Sequence, residues 1–118
     1  MPKILIVDDD VTMVSLLETL LMLDGFDVVV AKRGADVISK AEAEQPDIMM
    51  IDYHLTDMEG VEAIEAVRAH ATLSKTPIVM ASGLNVEHEA LRAGANRFLI
   101  KPFEPSELPK VFNELINE

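Results

Sequence analysis

The sequence predicts an α/β protein built on one doubly wound parallel sheet of five strands, in the order 2-1-3-4-5, with five helices covering its two faces. Two observations support this prediction. Five short apolar runs alternate strictly with amphipathic segments, which is the pattern of repeated strand-helix units. Each run is also short enough to be a strand buried on both faces, as parallel strands usually are. Right-handed crossovers between consecutive units then favour this strand order.

The elements follow in order from these runs and from the capping residues between them. Strands are predicted at Ile4–Val7, Asp27–Ala31, Ile48–Ile51, Ile78–Ala81 and Phe98–Ile100. Helices are predicted to follow them at about 11–24, 35–44, 60–70, 86–93 and 106–116. Asp10 and Asn85 are expected to cap the first and fourth helices, and Gly25 and Gly94 are expected to end them, because glycine adopts the left-handed conformation at little cost.

Length and composition limit the kind of protein. A chain of 118 residues fits one domain of ordinary size. There is no cysteine, which fits a reducing cytoplasm, and no apolar stretch reaches membrane-spanning length, so we expect a soluble cytoplasmic domain. The net charge of −11, with only 10 basic residues, argues against direct binding to nucleic acid because phosphate contacts need clustered Lys and Arg.

Charged and polar side chains stand at the ends of four of the predicted strands. Asp8 and Asp9 follow the first strand, Asp52 follows the third, Ser82 the fourth and Lys101 the fifth. Because the carboxyl ends of parallel strands meet at one edge of the sheet, we expect these side chains to gather there. In the predicted order the chain direction reverses between strands 1 and 3, which is where such sheets place their binding site.

Carboxylates gathered at one strand end repel each other unless a cation lies among them. Hard oxygen ligands without a cysteine favour Mg2+, which binds one or two carboxylates, keeps several waters and accepts phosphoryl oxygens as further ligands. The sequence therefore predicts a divalent metal site, with Mg2+ as the expected cofactor.

Four motifs in this order resemble the response-regulator receiver domains of two-component signal transduction. They are the acidic pair Asp8-Asp9, the segment Asp52–Gly60, Ser82 after its apolar run, and Ala93-Gly94-Ala95 leading to Lys101-Pro102-Phe103. The resemblance extends over residues 1–118, so it implies a single receiver domain with the flavodoxin-like receiver fold and no output domain in this chain.

The resemblance implies a phosphorylation site. Asp52 would accept a phosphoryl group from a phosphohistidine on a sensor histidine kinase or a histidine phosphotransfer protein. Asp8 and Asp9 would bind Mg2+ together with the Asp52 carboxylate and the backbone carbonyl of His54, whereas Asp10 is better explained as the helix cap. Lys101 would pair with the phosphoryl oxygens. The domain would be a signalling receiver, not an enzyme, although it would promote its own phosphorylation and dephosphorylation at Asp52.

The resemblance also implies a switch formed by Ser82 and Phe98. Ser82 would hydrogen-bond the phosphoryl group, and its inward movement would vacate space for Phe98, so that a packing change reports phosphorylation. Each residue has an alternative interpretation, since Ser82 could simply cap its strand and Phe98 could be ordinary core.

Two departures from the family pattern bear on output. The segment between Ser82 and Lys101 is shorter than usual by roughly one helical turn. Asn96-Arg97 replaces the acidic pair found in receivers that dimerise to bind DNA. We therefore expect a monomer whose output is read by a separate downstream protein or by a missing output domain.

A third departure is Thr56, which stands where proline is common and predicts a looser loop after Asp52.

Two other function classes share these features. A flavodoxin-like nucleotide-binding module would use the same switch-point site, but its carboxylates would repel a phosphate and no glycine-rich cradle follows the first strand. A small metal-dependent hydrolase that forms an aspartyl-phosphate would also need clustered acids, but such enzymes usually carry a cap or larger loops around a substrate pocket.

Overall fold

The predicted sheet is confirmed by the computed structural model, which describes residues 1–117. Five strands lie in the order β2-β1-β3-β4-β5, and every neighbouring pair is parallel. Their bounds are β1 Lys3–Val7, β2 Asp27–Ala31, β3 Ile48–Asp52, β4 Ile78–Ser82 and β5 Arg97–Ile100. Each strand therefore contains its predicted apolar run and extends it by one residue at most.

Helices follow the strands in the predicted alternation. Their bounds are α1 Val11–Leu23, α2 Val37–Glu44, α3 Gly60–Ala69, α4 Glu87–Ala93 and α5 Leu108–Ile116. Two of them, α2 and α5, begin two residues later than predicted, because 3-10 turns at Gly34–Asp36 and Pro105–Glu107 precede them. Among the residues described, no helix combines the length and the apolar character needed to cross a membrane.

The helix ends test the predicted caps. The Asp10 carboxylate accepts a hydrogen bond from the Met13 N–H at 3.1 Å, so the cap of α1 is confirmed. The prediction that Asn85 caps α4 is wrong, because Val86 occupies the cap position. Asn85 instead accepts a hydrogen bond from the Glu87 N–H, two residues on, a local turn that postpones the helix. Gly94 ends α4 at a φ of 121°.

The core consists of two layers separated by the sheet. The α1/α5 layer contains Ile4, Ile6, Val14, Leu17, Leu21, Phe26, Ile48, Met50, Val79, Ala81, Leu108, Phe112 and Leu115. The α2/α3/α4 layer lies on the opposite face and includes Leu5, Val7, Met49, Ile51, Ile64, Val67 and Met80. The strands β1 and β3 supply both layers, because successive side chains of a strand point to opposite faces.

The expectation that every apolar run is buried on both faces is wrong for β5. Phe98 and Leu99 are only partly buried, and Ile100 is 50% exposed. The reason is the position of β5 at the edge of the sheet, where it has β4 as its single neighbour. At the opposite edge, β2 is also only partly buried along Val28–Val30.

Candidate functional site

The five strand-end side chains lie together at the carboxyl edge of the sheet. Asp8 and Asp9 follow β1, which is the strand beside β3, and Asp52 is the last residue of β3. Ser82 is the last residue of β4, and Lys101 follows β5 directly. The fold therefore brings these side chains to the switch point, as expected from the sequence.

The acidic cluster has the donor set of a divalent cation site. Asp8, Asp9 and Asp52 each offer a carboxylate oxygen, and these oxygens lie within 4.8 Å of one another. Three hard oxygen donors at this separation fit Mg2+, which needs one or two carboxylates and completes its shell with water. Asp10 is not part of the cluster, because its carboxylate caps α1.

Asp8 is the buried member of the cluster. Burial raises the pKa of its carboxyl group, and the nearby Asp52 and Asp9 charges act in the same direction. A hydrogen bond at 2.9 Å from the Asp10 N–H to Asp8 Oδ1 opposes this effect. The nearby Lys101 charge also opposes it, but the pKa of Asp8 stays raised, so a cation bound at the cluster would stabilise the charged carboxylate.

Lys101 brings a positive charge to the same point. Its Nζ lies 2.8 Å from Asp52 Oδ1 and 3.7 Å from Asp8 Oδ2. Burial acts against the charged ammonium group, but the hydrogen bond to Asp52 and the two nearby carboxylates outweigh it and raise the pKa of Lys101. The lysine is therefore held as a cation against the Asp52 carboxylate.

Ser82 and Phe98 lie on neighbouring strands near this cluster. The Ser82 side chain is buried, and its Oγ accepts a hydrogen bond from the Leu84 N–H at 3.0 Å. Phe98 is partly buried and lines a small cavity of about 220 Å³ with Asn85, Glu87 and Ile100. Phe98 lies on β5, which pairs with β4, and Ile100 of β5 is the register partner of Ser82.

The loop after Asp52 contains two site residues that sequence reasoning missed. The Thr56 hydroxyl donates a hydrogen bond to Oδ2 of Asp9, the exposed member of the acidic cluster. Asp57 accepts hydrogen bonds from the Gly34 N–H at 2.8 Å and the Ala35 N–H at 2.9 Å. These two donors lower the pKa of Asp57. Contrary to the expectation of a looser loop, side chains tie this loop to two other segments.

Tyr53 connects the end of β3 to α4. Its hydroxyl donates a hydrogen bond to Glu89 Oε2 at 2.9 Å, and its ring packs edge-on against His54 with centroids 4.8 Å apart. The hydrogen bonds to Glu89 and Glu59 raise the pKa of the phenol to about 12. The residue after Asp52 is therefore in contact with the helix that follows the Ser82 strand.

Comparison with known proteins identifies the family. The family described as "Response regulator receiver domain" matches residues 4–113, which is most of the chain. This chain belongs to the response regulator receiver family. Receivers are the signalling modules of two-component systems, and an acidic Mg2+ pocket with a phosphorylated aspartate is a general feature of the family. Both the nucleotide-binding and the hydrolase alternatives lose their support.

The relatives of this receiver differ in how much of their length it covers. It is 35% identical over 109 residues to the alkaline phosphatase synthesis transcriptional regulatory protein PhoP of Bacillus subtilis, covering 90% of the receiver but 45% of PhoP. It is 29% identical over 119 residues to the chemotaxis protein CheY of Bacillus subtilis, covering 98% of each chain.

A solved structure with the same fold holds a metal ion. The receiver domain of a sensor histidine kinase from Pseudomonas aeruginosa, with magnesium coordinated in its active-site cleft, matches with a TM-score of 0.90 and 28% identity. The match covers 99% of this receiver and 98% of that chain.

Proposed function

We propose that Asp52 of this receiver accepts a phosphoryl group from a phosphohistidine on a sensor histidine kinase or a histidine phosphotransfer protein. The observation that carries the proposal is the position of the Asp52 carboxylate, which lies between the acidic pair and the Lys101 ammonium group. Asp8 also lies near Lys101, at 3.7 Å, but it is itself a member of the acidic pair. The expected compartment of this exchange is the cytoplasm.

The proposed metal ligands are Asp8, Asp9, the Asp52 carboxylate and the backbone carbonyl of His54. When bound, Mg2+ would neutralise negative charge on the phosphoryl oxygens. This assignment is supported by the three clustered carboxylates here and by the magnesium ion in the Pseudomonas relative.

The transfer itself needs positioning and charge neutralisation more than covalent help. An Asp52 carboxylate oxygen attacks phosphorus, the phosphorus–nitrogen bond breaks, and the histidine ring nitrogen keeps the electron pair. Lys101, already 2.8 Å from Asp52, is placed to pair with a phosphoryl oxygen. Ser82 Oγ is only the acceptor in its bond from the Leu84 N–H, so its own proton is available to donate to a second oxygen.

The proposed readout is a coupled change at Ser82 and Phe98. If Ser82 turns toward the phosphoryl group, Phe98 can pack inward from its partly buried position. We propose that residues 1–118 act as one receiver domain. CheY, which the chain covers almost fully, supports a separate downstream partner, whereas PhoP supports an output domain in a longer protein.

The test is phosphorylation by a small donor, which also examines the proposed self-catalysed reaction. The receiver is incubated with acetyl phosphate or phosphoramidate and Mg2+, and its intact mass is measured. We expect one acid-labile phosphate on the unmodified chain and none on Asp52→Asn. Asp10→Asn is the matched control and should be phosphorylated normally, since Asn caps a helix nearly as well as Asp. Equal phosphate on Asp52→Asn would overturn the assignment.

A further inference from the structure

The free edge of β2 presents unpaired backbone groups. On its inner side, the Asp27 N–H donates to the Pro2 carbonyl at 2.8 Å, and the Ala31 carbonyl accepts from the Asp8 N–H at 3.2 Å. In a parallel strand the N–H and C=O groups of every second residue bond to the same neighbouring strand, so the backbone groups of Val29 also face β1. The N–H and C=O groups of Val28 and Val30 consequently point away from the sheet, where β2 has no second neighbouring strand.

Two cavities open on either side of this edge. One of about 800 Å³ lies between β2 and α2, and one of about 450 Å³ lies between β2 and α1. Val30, Lys32 and Lys40 line both cavities. Because Lys40 belongs to α2 and still lines the cavity beside α1, the two spaces meet across the edge of the strand.

The acids of the larger cavity are already engaged. Asp36 lies 3.1 Å from the Arg33 guanidinium group, and Glu44 lies 3.1 Å from Lys3 Nζ. Asp9, the third acid lining this cavity, accepts the Thr56 hydrogen bond.

The two lysines that line both cavities, Lys32 and Lys40, have no such partners among residues 1–117. Within residues 1–117, Lys32 and Lys40 form neither an ion pair nor a side-chain hydrogen bond. The smaller cavity is lined by two acids, Asp8 and Glu18. Asp8 lies beside Lys101, and Glu18 has no ion-pair partner in the part of the chain that the structure describes. A chain with a net charge of −11 thus presents two unengaged cations along one strand edge.

The strand itself has little of the usual protection of an edge. Natural edge strands carry charged side chains, proline or a bulge that prevents another strand from pairing. The β2 sequence Asp-Val-Val-Val-Ala has one charged residue, the exposed Asp27 at its first position, and contains no proline. Its register with β1 runs without interruption from Asp27 to Ala31.

We propose that the β2 edge binds an extended acidic segment of a partner protein, which adds a sixth strand to the sheet. Side chains of an added strand alternate between the two faces, so they would enter the two cavities in turn. Backbone groups of Val28 and Val30 would pair with the segment, and its carboxylates would lie against Lys32 and Lys40. The pairing groups of Val28 and Val30 are not part of the phosphorylation site, although Asp8 and Asp9 of that site each line one of the two cavities.

The probe is a fluorescein-labelled peptide in which valine and threonine alternate and glutamates stand at both ends. Fluorescence anisotropy measures its binding to the intact, unphosphorylated receiver. We expect saturable binding, with slower hydrogen exchange at the Val28 and Val30 amides and no change at Val29. A peptide with lysines in place of the glutamates should bind about ten-fold more weakly or worse.

The variant Val30→Pro tests pairing at the free edge of β2 without removing a hydrogen bond between β2 and β1. The Val30 N–H makes no bond to β1, so proline there removes only the outward donor, and edge strands tolerate proline. We expect binding to fall about ten-fold or more, equivalent to 1.4 kcal/mol. Circular dichroism confirms folding of this variant. A double variant, Lys32→Glu with Lys40→Glu, leaves the backbone of β2 unchanged and should also weaken binding of the acidic peptide about ten-fold.

Lys110→Glu, an exposed lysine on α5, is the charge control and should bind normally. The proposal would be overturned if the peptide did not bind the unmodified receiver, or if Val30→Pro and the double lysine variant bound it as tightly as the unmodified receiver does. A dimer in sedimentation that Val30→Pro abolishes would do the same, because a second copy would then occupy the edge.

Discussion

Thr56 acts on the acidic cluster through a single hydroxyl group. Its hydrogen bond to Asp9 fixes the exposed carboxylate of the cluster in position. Groups that orient a metal ligand in this way typically contribute ten-fold or more to metal affinity. We therefore expect Thr56→Val, which removes the hydroxyl and keeps the shape, to weaken Mg2+ binding about ten-fold in isothermal titration calorimetry.

Thr56→Ser keeps a hydroxyl at the same position and should bind Mg2+ nearly as well as the unmodified receiver. If Thr56→Val and Thr56→Ser both retained full affinity, the hydroxyl would have no role in positioning Asp9.

Tyr53 is the one tyrosine of the chain, and there is no tryptophan, so its ionisation can be followed directly by ultraviolet absorbance. The hydrogen bond to Glu89 stabilises the neutral phenol, and a phenolate would face the Glu89 charge. We expect the absorbance titration of Tyr53 to have its midpoint at about 12, above the ordinary tyrosine pKa of 10.0. Stability from this bond is complete below the ordinary pKa and is lost as pH rises through the raised value.

Glu89→Gln is the matched variant for this titration, because it keeps the side-chain shape and removes the charge. Its midpoint should move down toward 10.0, while the remaining effect of Glu59 keeps it above that value. An unchanged midpoint would show that Glu89 does not bind the phenol in solution.

At the scale of elements, Asp57 joins the loop after β3 to the turn before α2. Its two oxygens accept the Gly34 and Ala35 N–H groups, and this lowers its pKa. Asp57→Asn keeps one acceptor and turns an amide N–H against the second donor. We expect a lower urea midpoint at neutral pH for this variant. A lowered pKa contributes stability above the ordinary value of 3.8 and loses it as pH falls, so the difference from the unmodified protein should shrink in acid.

A difference that stayed constant from neutral pH down to below 3.8 would contradict this account, because a neutral packing contact has no such pH dependence. Asp27→Asn is a suitable control. This acid is exposed at the start of β2, and its substitution should change the urea midpoint little.

The elements could be predicted because each is encoded locally. Apolar runs mark the strands, and Asp10, Gly25 and Gly94 mark three of the helix ends. The prediction was wrong where the outcome depends on surroundings, as at Asn85, which turns onto Glu87, and at Ile100, which an edge position leaves exposed.

The positions of Asp8, Asp52 and Lys101 could be predicted for the same reason, since each follows a strand. The partners of Thr56 and Asp57 could not, because they come from segments distant in sequence. Thr and Asp in a loop indicate a hydrogen bond, but they do not indicate its partner.

At the scale of the whole molecule, Asn96 and Arg97, which replace the acidic pair of dimerising receivers, are bound within the chain. Asn96 Oδ1 accepts hydrogen bonds from the Ile78 N–H and from Arg68, and Arg97 lies 3.1 Å from Glu114. The short helix α4, Glu87–Ala93, offers little further surface. We therefore expect the receiver to stay monomeric when beryllofluoride and Mg2+ mimic phosphorylation.

Light scattering at micromolar concentration, with and without beryllofluoride, measures this outcome. A shift to dimer that is abolished by substitutions on α4 or α5 would show the prediction to be wrong. A dimer abolished instead by Val30→Pro would place the contact at the β2 edge.

The separation of the core into two layers also affects how the sequence can change over time. Met49 and Met50 are neighbours in the chain, but the sheet places them in different layers. Substitutions in different layers that lie more than about 10 Å apart and share no partners should have additive effects on stability. Each layer can therefore accumulate and compensate mutations by itself. The layer that contains α4 can diverge to suit a new partner while the layer that contains α1 keeps its packing.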